Sequence, residues 1–120
     1  MGKRILVADD EPNVVISLDF LLKREGFEVI VARDGAEALL RIRNERPDLA
    51  ILDVMMPHKN GFQVCQEVRA DPELSATRIM MLTARGRDRE MEKGFALGAD
   101  AYMAKPFSTR ELVTAVKSLI

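Results

Sequence analysis

The sequence predicts an α/β fold: a doubly wound sheet of five parallel strands with five helices on its two faces, a three-layer sandwich. Three observations carry this. Short apolar runs alternate with amphipathic stretches of helical period along all 120 residues, the pattern of a parallel sheet covered by helices. Four of the runs, over residues 5–8, 49–52, 79–82 and 101–104, are apolar throughout, as strands buried on both faces are. These four runs stop at polar residues: Asp9 and Asp10, then Asp53, Thr83 and Lys105.

Each element has a local reason. After the first strand, Pro12 suits the first turn of a helix, where a missing N–H costs nothing. Val14, Val15, Leu18, Leu21 and Leu22 recur at helical spacing, and Gly26 ends that helix after Glu25. Residues 27–31 form the second strand. Asp34 caps the second helix, with Glu37 three residues on as in a capping box. Leu39 and Ile42 line its inner face, and Pro47 stops it before the third strand starts at Leu49. A loop over 54–60 contains Pro57 and closes at Gly61; the third helix carries Phe62, Cys65 and Val68 until Asp71-Pro72 breaks it. The fourth strand is followed by a charged stretch, 84–89, and a short helix with Met91 and Phe95 that Gly98 ends. The fifth strand runs to a Lys105-Pro106 turn. Ser108 and Glu111 make another capping box, ahead of a last helix lined by Leu112, Val116 and Leu119.

At this length a single domain, residues 1–120, buries a core without disulfides or a structural metal. Hydrophobic residues are 48% and charged residues 31%, with net charge −1 and both signs interspersed. No basic stripe points to nucleic acid, so no direct nucleic-acid binding is expected. Cys65 is the only cysteine, which excludes an internal disulfide and fits a reducing compartment. No apolar run approaches the ~20 residues of a membrane span. The first apolar run is too short for a signal-peptide core, so a cytoplasmic location is expected. There are no repeats, low-complexity segments or linkers.

Strict alternation with right-handed crossovers gives the flavodoxin-like strand order 2-1-3-4-5, with the topological switch between strands one and three. That switch sets Asp9 and Asp10 beside Asp53, at the sheet edge where open α/β folds bind ligands. Asp10 can also cap the helix that follows it. Three carboxylates at one place repel one another and raise each other's pKa values. Lys105 or a divalent metal could offset that charge. Hard oxygen ligands without His or a partner Cys favour Mg²⁺ over zinc or copper. A metal and an ammonium flanking a carboxylate suit phosphoryl transfer. Asp53 could then be the nucleophile, Thr83 a hydrogen-bond donor to a phosphoryl oxygen, and Lys105 its counter-charge.

With these residues in place, the chain resembles the receiver domains of two-component response regulators over its whole length. The resemblance rests on the acidic pair in ILVADDEP, Asp53 in LDVMMPHKNGF, Thr83 in MLTA, and Tyr102 and Lys105 in YMAKPF. Their order and the gaps, 30 residues from Asp53 to Thr83 and 22 from Thr83 to Lys105, are also the family's. The resemblance implies that Asp53 accepts a phosphoryl group from a histidine kinase or histidine phosphotransfer protein. It implies Mg²⁺ held by Asp10, Asp53 and the backbone carbonyl of Met55, with Asp9 acting mainly through water. It gives Thr83 and Lys105 the phosphoryl oxygens, and makes Thr83 and Tyr102 the switch pair. Partner binding would change on the face of the fourth helix, fifth strand and fifth helix.

The resemblance also implies a cis Lys105-Pro106 peptide and, at the small Ala84, a site open to the donor. Such a protein assists its own phosphorylation and dephosphorylation and is not a turnover enzyme. Lys59 stands where the family more often has an apolar residue, and Met55 and Arg85 hold the two positions that vary most with dephosphorylation rate. Ala101 and Ala115 stand where the winged-helix subfamily carries an acid and an arginine, so a monomer or weak dimer is expected. Two other uses of the same residues differ in kind. An aspartate-nucleophile phosphatase would carry a second Asp two residues after Asp53, where Met55 stands. A receiver that only binds proteins would not need the whole acidic and basic set.

Overall fold

The computed structural model describes residues 2–84, 92 and 95–120. The elements are β1 (Arg4–Ala8), α1 (Pro12–Arg24), β2 (Glu28–Ala32), α2 (Gly35–Glu45), β3 (Leu49–Asp53), α3 (Gly61–Ala70), a 3₁₀ turn (Pro72–Leu74), β4 (Arg78–Ala84), β5 (Ala101–Lys105) and α4 (Thr109–Leu119). The five strands form one sheet in the order β2-β1-β3-β4-β5, every neighbouring pair parallel. Four α-helices are delimited among the described residues, against five expected. The short helix expected around Met91 and Phe95 lies mostly outside those residues; Glu92, Phe95 and Ala96 are helical. Arg85 and the rest of the charged stretch after Ala84 also lie outside the described residues.

Period-two alternation divides the core into two layers. Leu6, Ala8, Ala50, Leu52, Ile79 and Met81 pack with Ala38, Leu39 and Ile42 of α2 and Phe62, Cys65 and Val68 of α3. Ile5, Val7, Leu49, Ile51, Met80 and Leu82 pack with Leu18, Leu21 and Leu22 of α1 and Leu112 and Val116 of α4. The centre of the sheet is therefore dry on both sides, which explains why its strands read as unbroken apolar runs.

The helix ends differ in detail from expectation. Asp34 and Ser108 each accept the backbone N–H three residues on, from Glu37 at 2.8 Å and Glu111 at 3.0 Å. The complete capping box is instead at α3, where Asn60 and Gln63 exchange bonds of 2.8 and 2.9 Å. Gly26, at φ 93°, reverses the chain into β2, a conformation a side chain would strain. The Lys105-Pro106 peptide is cis.

Candidate functional site

β1 and β3 lie side by side with Ala8 opposite Leu52, so Asp9 and Asp53 leave the sheet together. They are 1% and 4% exposed. Each turns its carboxylate onto the backbone two residues ahead, as a strand-terminal Asp does in a tight Asx turn. Asp9 Oδ1 accepts from the Glu11 N–H at 2.9 Å, and Asp53 Oδ1 from the Met55 N–H at 3.4 Å. Asp10, the next residue, stays exposed. One carboxylate oxygen each from Asp9, Asp10 and Asp53 lie within 4.8 Å of one another.

Lys105 closes the pocket from the far edge of the sheet. It ends β5 opposite Ala84, and its side chain reaches back across two strands. The ammonium lies 2.8 Å from Glu11 Oε1, 3.1 Å from Asp9 Oδ2 and 3.5 Å from Asp53 Oδ2. Burial pushes the Asp53 carboxyl up to about 7 and the charge of Asp9 adds to this, against the opposing pull of Lys105 and the Met55 N–H. Burial alone would lower Lys105. The Glu11 bond, the Asp53 charge and the Asp9 bond outweigh it and hold the ammonium above the usual lysine range. Lys105 thus meets three carboxylates, Asp9, Glu11 and Asp53, and Asp10 joins the two aspartates in one cluster. The surplus of negative, hard oxygens fits a divalent ion such as Mg²⁺.

Thr83 is buried at the end of β4, one step beyond the pairing of Asp53 with Leu82. Its hydroxyl donates to the Ala84 carbonyl at 3.4 Å, and Ala84 itself is exposed. Tyr102 is not in the pocket. It is half-buried against the α2–α3 side of the core, its ring 5.8 Å from that of Phe95. Met55 touches the site through its backbone and leaves its side chain in solvent. Lys59 is held on α3 by Glu67 at 2.7 Å, and His58 is exposed. Asp10 does not cap α1: the cap residue is Glu11, with no side-chain cap bond.

Sequence reasoning missed Glu11. A signal was present, because Glu is a poor choice at a helix N-cap, where Ser, Thr, Asp or Asn can bond the free N–H groups. A groove of about 800 Å³ runs from Glu11 and Lys105 between α1 and the turn after β5, with Phe20, Leu21, Pro106 and Phe107 in its walls. Ile16 and Phe20 are exposed on α1.

The sequence matches the response regulator receiver domain family over residues 5–117. It is 45% identical over 120 residues to the alkaline phosphatase synthesis transcriptional regulatory protein PhoP of Bacillus subtilis (strain 168), covering all of this chain and 49% of that protein. The chain thus spans about half the length of that curated relative. A putative response regulator from Chloroflexus aurantiacus superposes with TM-score 0.95 at 39% identity, covering 99% of this chain and 98% of that one. The response regulator protein TrrA from Thermotoga maritima, solved in complex with Mg²⁺-BeF, gives TM-score 0.87 at 40% identity, covering 98% and 99%.

Proposed function

Because this chain belongs to the response regulator receiver domain family of two-component signalling, we propose that it takes a phosphoryl group on Asp53 and switches partner binding in response. The observation that carries this reading is the reach of Lys105 across the sheet to Asp9 and Asp53, which sets a cation against a buried carboxylate at the open strand edge. The donor is the phosphohistidine of a histidine kinase or histidine phosphotransfer protein, which approaches over exposed Ile16 and Phe20 on α1. An oxygen of Asp53 attacks phosphorus. The P–O bond forms as the P–N bond breaks, and its electron pair stays on the imidazole nitrogen.

Asp10, Asp53 and the Met55 carbonyl would hold Mg²⁺, with Asp9 acting through water, and the ion would supply positive charge against the phosphoryl oxygens. The similarity to a regulator solved with Mg²⁺-BeF supports that assignment. Lys105 and Thr83 bind the phosphoryl oxygens, and Ala84 leaves the approach open. Loss of the signal is hydrolysis: a water oxygen bonds to phosphorus as the P–O bond to Asp53 breaks, and the electron pair returns to the Asp53 carboxylate. Inorganic phosphate departs carrying one water proton, the other passing to solvent. Thr83 and Tyr102 form the switch, read out on the surface of Phe95, β5 and α4. This is signalling chemistry of one phosphoryl per chain, not turnover. This reading takes the chain to be cytoplasmic and a monomer or weak dimer. Among the described residues no helix is long and apolar enough to cross a membrane.

The test is phosphorylation by phosphoramidate with and without Mg²⁺, followed by intact mass. One acid-stable, base-labile phosphoryl per chain is expected, dependent on Mg²⁺ and absent in Asp53→Asn. No modification, or full modification of Asp53→Asn, would overturn the reading.

A further inference from the structure

Glu11 stands in the acidic run but does none of the work its position suggests. It is the N-cap of α1, yet its carboxylate bonds no helix N–H. The side chain instead crosses to Lys105, 94 residues away, and makes the shortest of the three contacts to that ammonium. An ammonium has three donors to place. Two go to Glu11 and Asp9, within hydrogen-bond distance, while Asp53 is left at 3.5 Å. Asp9 cannot move to change this balance, since its other oxygen is held by the Glu11 N–H.

Burial makes this arrangement informative. The Glu11 side chain is 61% exposed, against 6% for Asp53 and 16% for Lys105. Attraction between charges is stronger and less screened on the buried side. With nothing pulling outward, the ammonium, still held by Asp9, would move inward toward Asp53. A closed Lys105–Asp53 pair would cover the nucleophilic oxygen and compete with a divalent ion for the same carboxylate. It would also place the cation below the level where a phosphoryl group attached to Asp53 carries its charge.

We propose that Glu11 is a positioning residue, which holds the Lys105 ammonium at the mouth of the pocket, off the Asp53 carboxylate, where an incoming phosphoryl group meets it. The inference rests on the reading of Asp53 as phosphoryl acceptor. Glu11 is not part of the Asp9, Asp10 and Asp53 cluster, and it acts through Lys105.

Two measurements test this. In a crystal structure of Glu11→Ala, the Lys105 Nζ to Asp53 Oδ2 distance is expected to close from 3.5 Å to hydrogen-bond length. With saturating Mg²⁺ and phosphoramidate, Glu11→Ala is expected to phosphorylate about fivefold more slowly, and Glu11→Asp to recover part of the loss. In a Lys105→Ala background the same Glu11→Ala change is expected to leave the residual rate alone. An unchanged Lys105 position overturns the proposal, as does an equal rate loss with Lys105 absent, which would mark a general field effect. If the unaltered chain takes up no phosphoryl group, the functional reading fails instead, and the crystallographic distance still decides the placement of Lys105.

Discussion

The buried Asp53 carboxyl, pushed up to about 7, links the site to the stability of the whole fold. In the unfolded chain the same group titrates near ~4. Its folded value is the higher of the two, so the metal-free fold binds this proton more tightly than the unfolded chain does. Its contribution is therefore complete below about pH 4 and is lost as pH rises through about 7, a loss on the order of a few kcal/mol. On the proposed function Mg²⁺ would reverse the preference, because only the ionised carboxylate is a good ligand. Without metal, the melting temperature is expected to fall from about pH 5 to about pH 8 more steeply than in Asp53→Asn. Excess Mg²⁺ is expected to raise it more at the upper end of that range than at the lower. Scanning calorimetry across the pH series, with and without Mg²⁺, reads both effects. Parallel curves for the two proteins would show that burial of Asp53 costs the fold nothing.

The β3–α3 connection shows how an element fixes the place of that carboxylate. Gly61 opens α3 directly against the end of β3, and its N–H donates to the Val54 carbonyl at 2.9 Å. A Cβ there would lie 2.5 Å from the Asp53 carbonyl oxygen and 2.8 Å from the Met81 terminal methyl. The methyl can swing aside, but the strand oxygen cannot. Gly61→Ala is expected to cost about 1–3 kcal/mol in urea unfolding and to weaken Mg²⁺ binding, since Asp53 must move. Asn60→Ala, which removes the cap of the same helix, is expected to cost about 1 kcal/mol and leave Mg²⁺ affinity unchanged. Equal Mg²⁺ affinities in the two variants would disconnect the helix start from the site. Strand runs, the Gly26 stop and the residues at the strand ends were legible because each is written in a few adjacent residues. The order of strands followed from handedness, which then put Asp9 beside Asp53. What stayed hidden depends on long-range geometry. Nothing near Glu11 announces a partner at Lys105, and the choice of Asn60 and Gln63 for the complete capping box is settled by side-chain placement that spacing does not encode. The Pro72–Leu74 turn was passed over as a simple break.

Across the molecule, the sheet itself separates the proposed phosphoryl site from the proposed switch residue Tyr102. By strand alternation Asp9, Asp53 and Lys105 continue the rows of Val7, Ile51 and Met103, which face α1 and α4. Thr83 continues the row of Ile79 and Met81, which faces α2 and α3, and Tyr102 packs on that same side. On the proposed function, phosphoryl charge would therefore arise beside one layer, while Tyr102, in ring contact with Phe95, packs on the other. A ligand at Asp53 shifts the switch only as far as something in contact with both layers favours one state. Thr83 is the candidate: buried next to the end of β3, it sits in the row of Ile79 and Met81, and Met81 stands opposite Tyr102. With Mg²⁺ and beryllofluoride as the phosphoryl stand-in, NMR resonances of Asp53, Thr83, Lys105, Tyr102 and Phe95 are expected to move together. In Thr83→Ala those of Asp53 and Lys105 are expected to move still, while Tyr102 and Phe95 lose most of their response. Lys105 offers a rival route, since it shares β5 with Tyr102 and could transmit strain along the strand backbone. A full Tyr102 response in Thr83→Ala would assign the coupling to that route, because the substitution removes the Thr83 hydroxyl and methyl and leaves Lys105 and β5 in place.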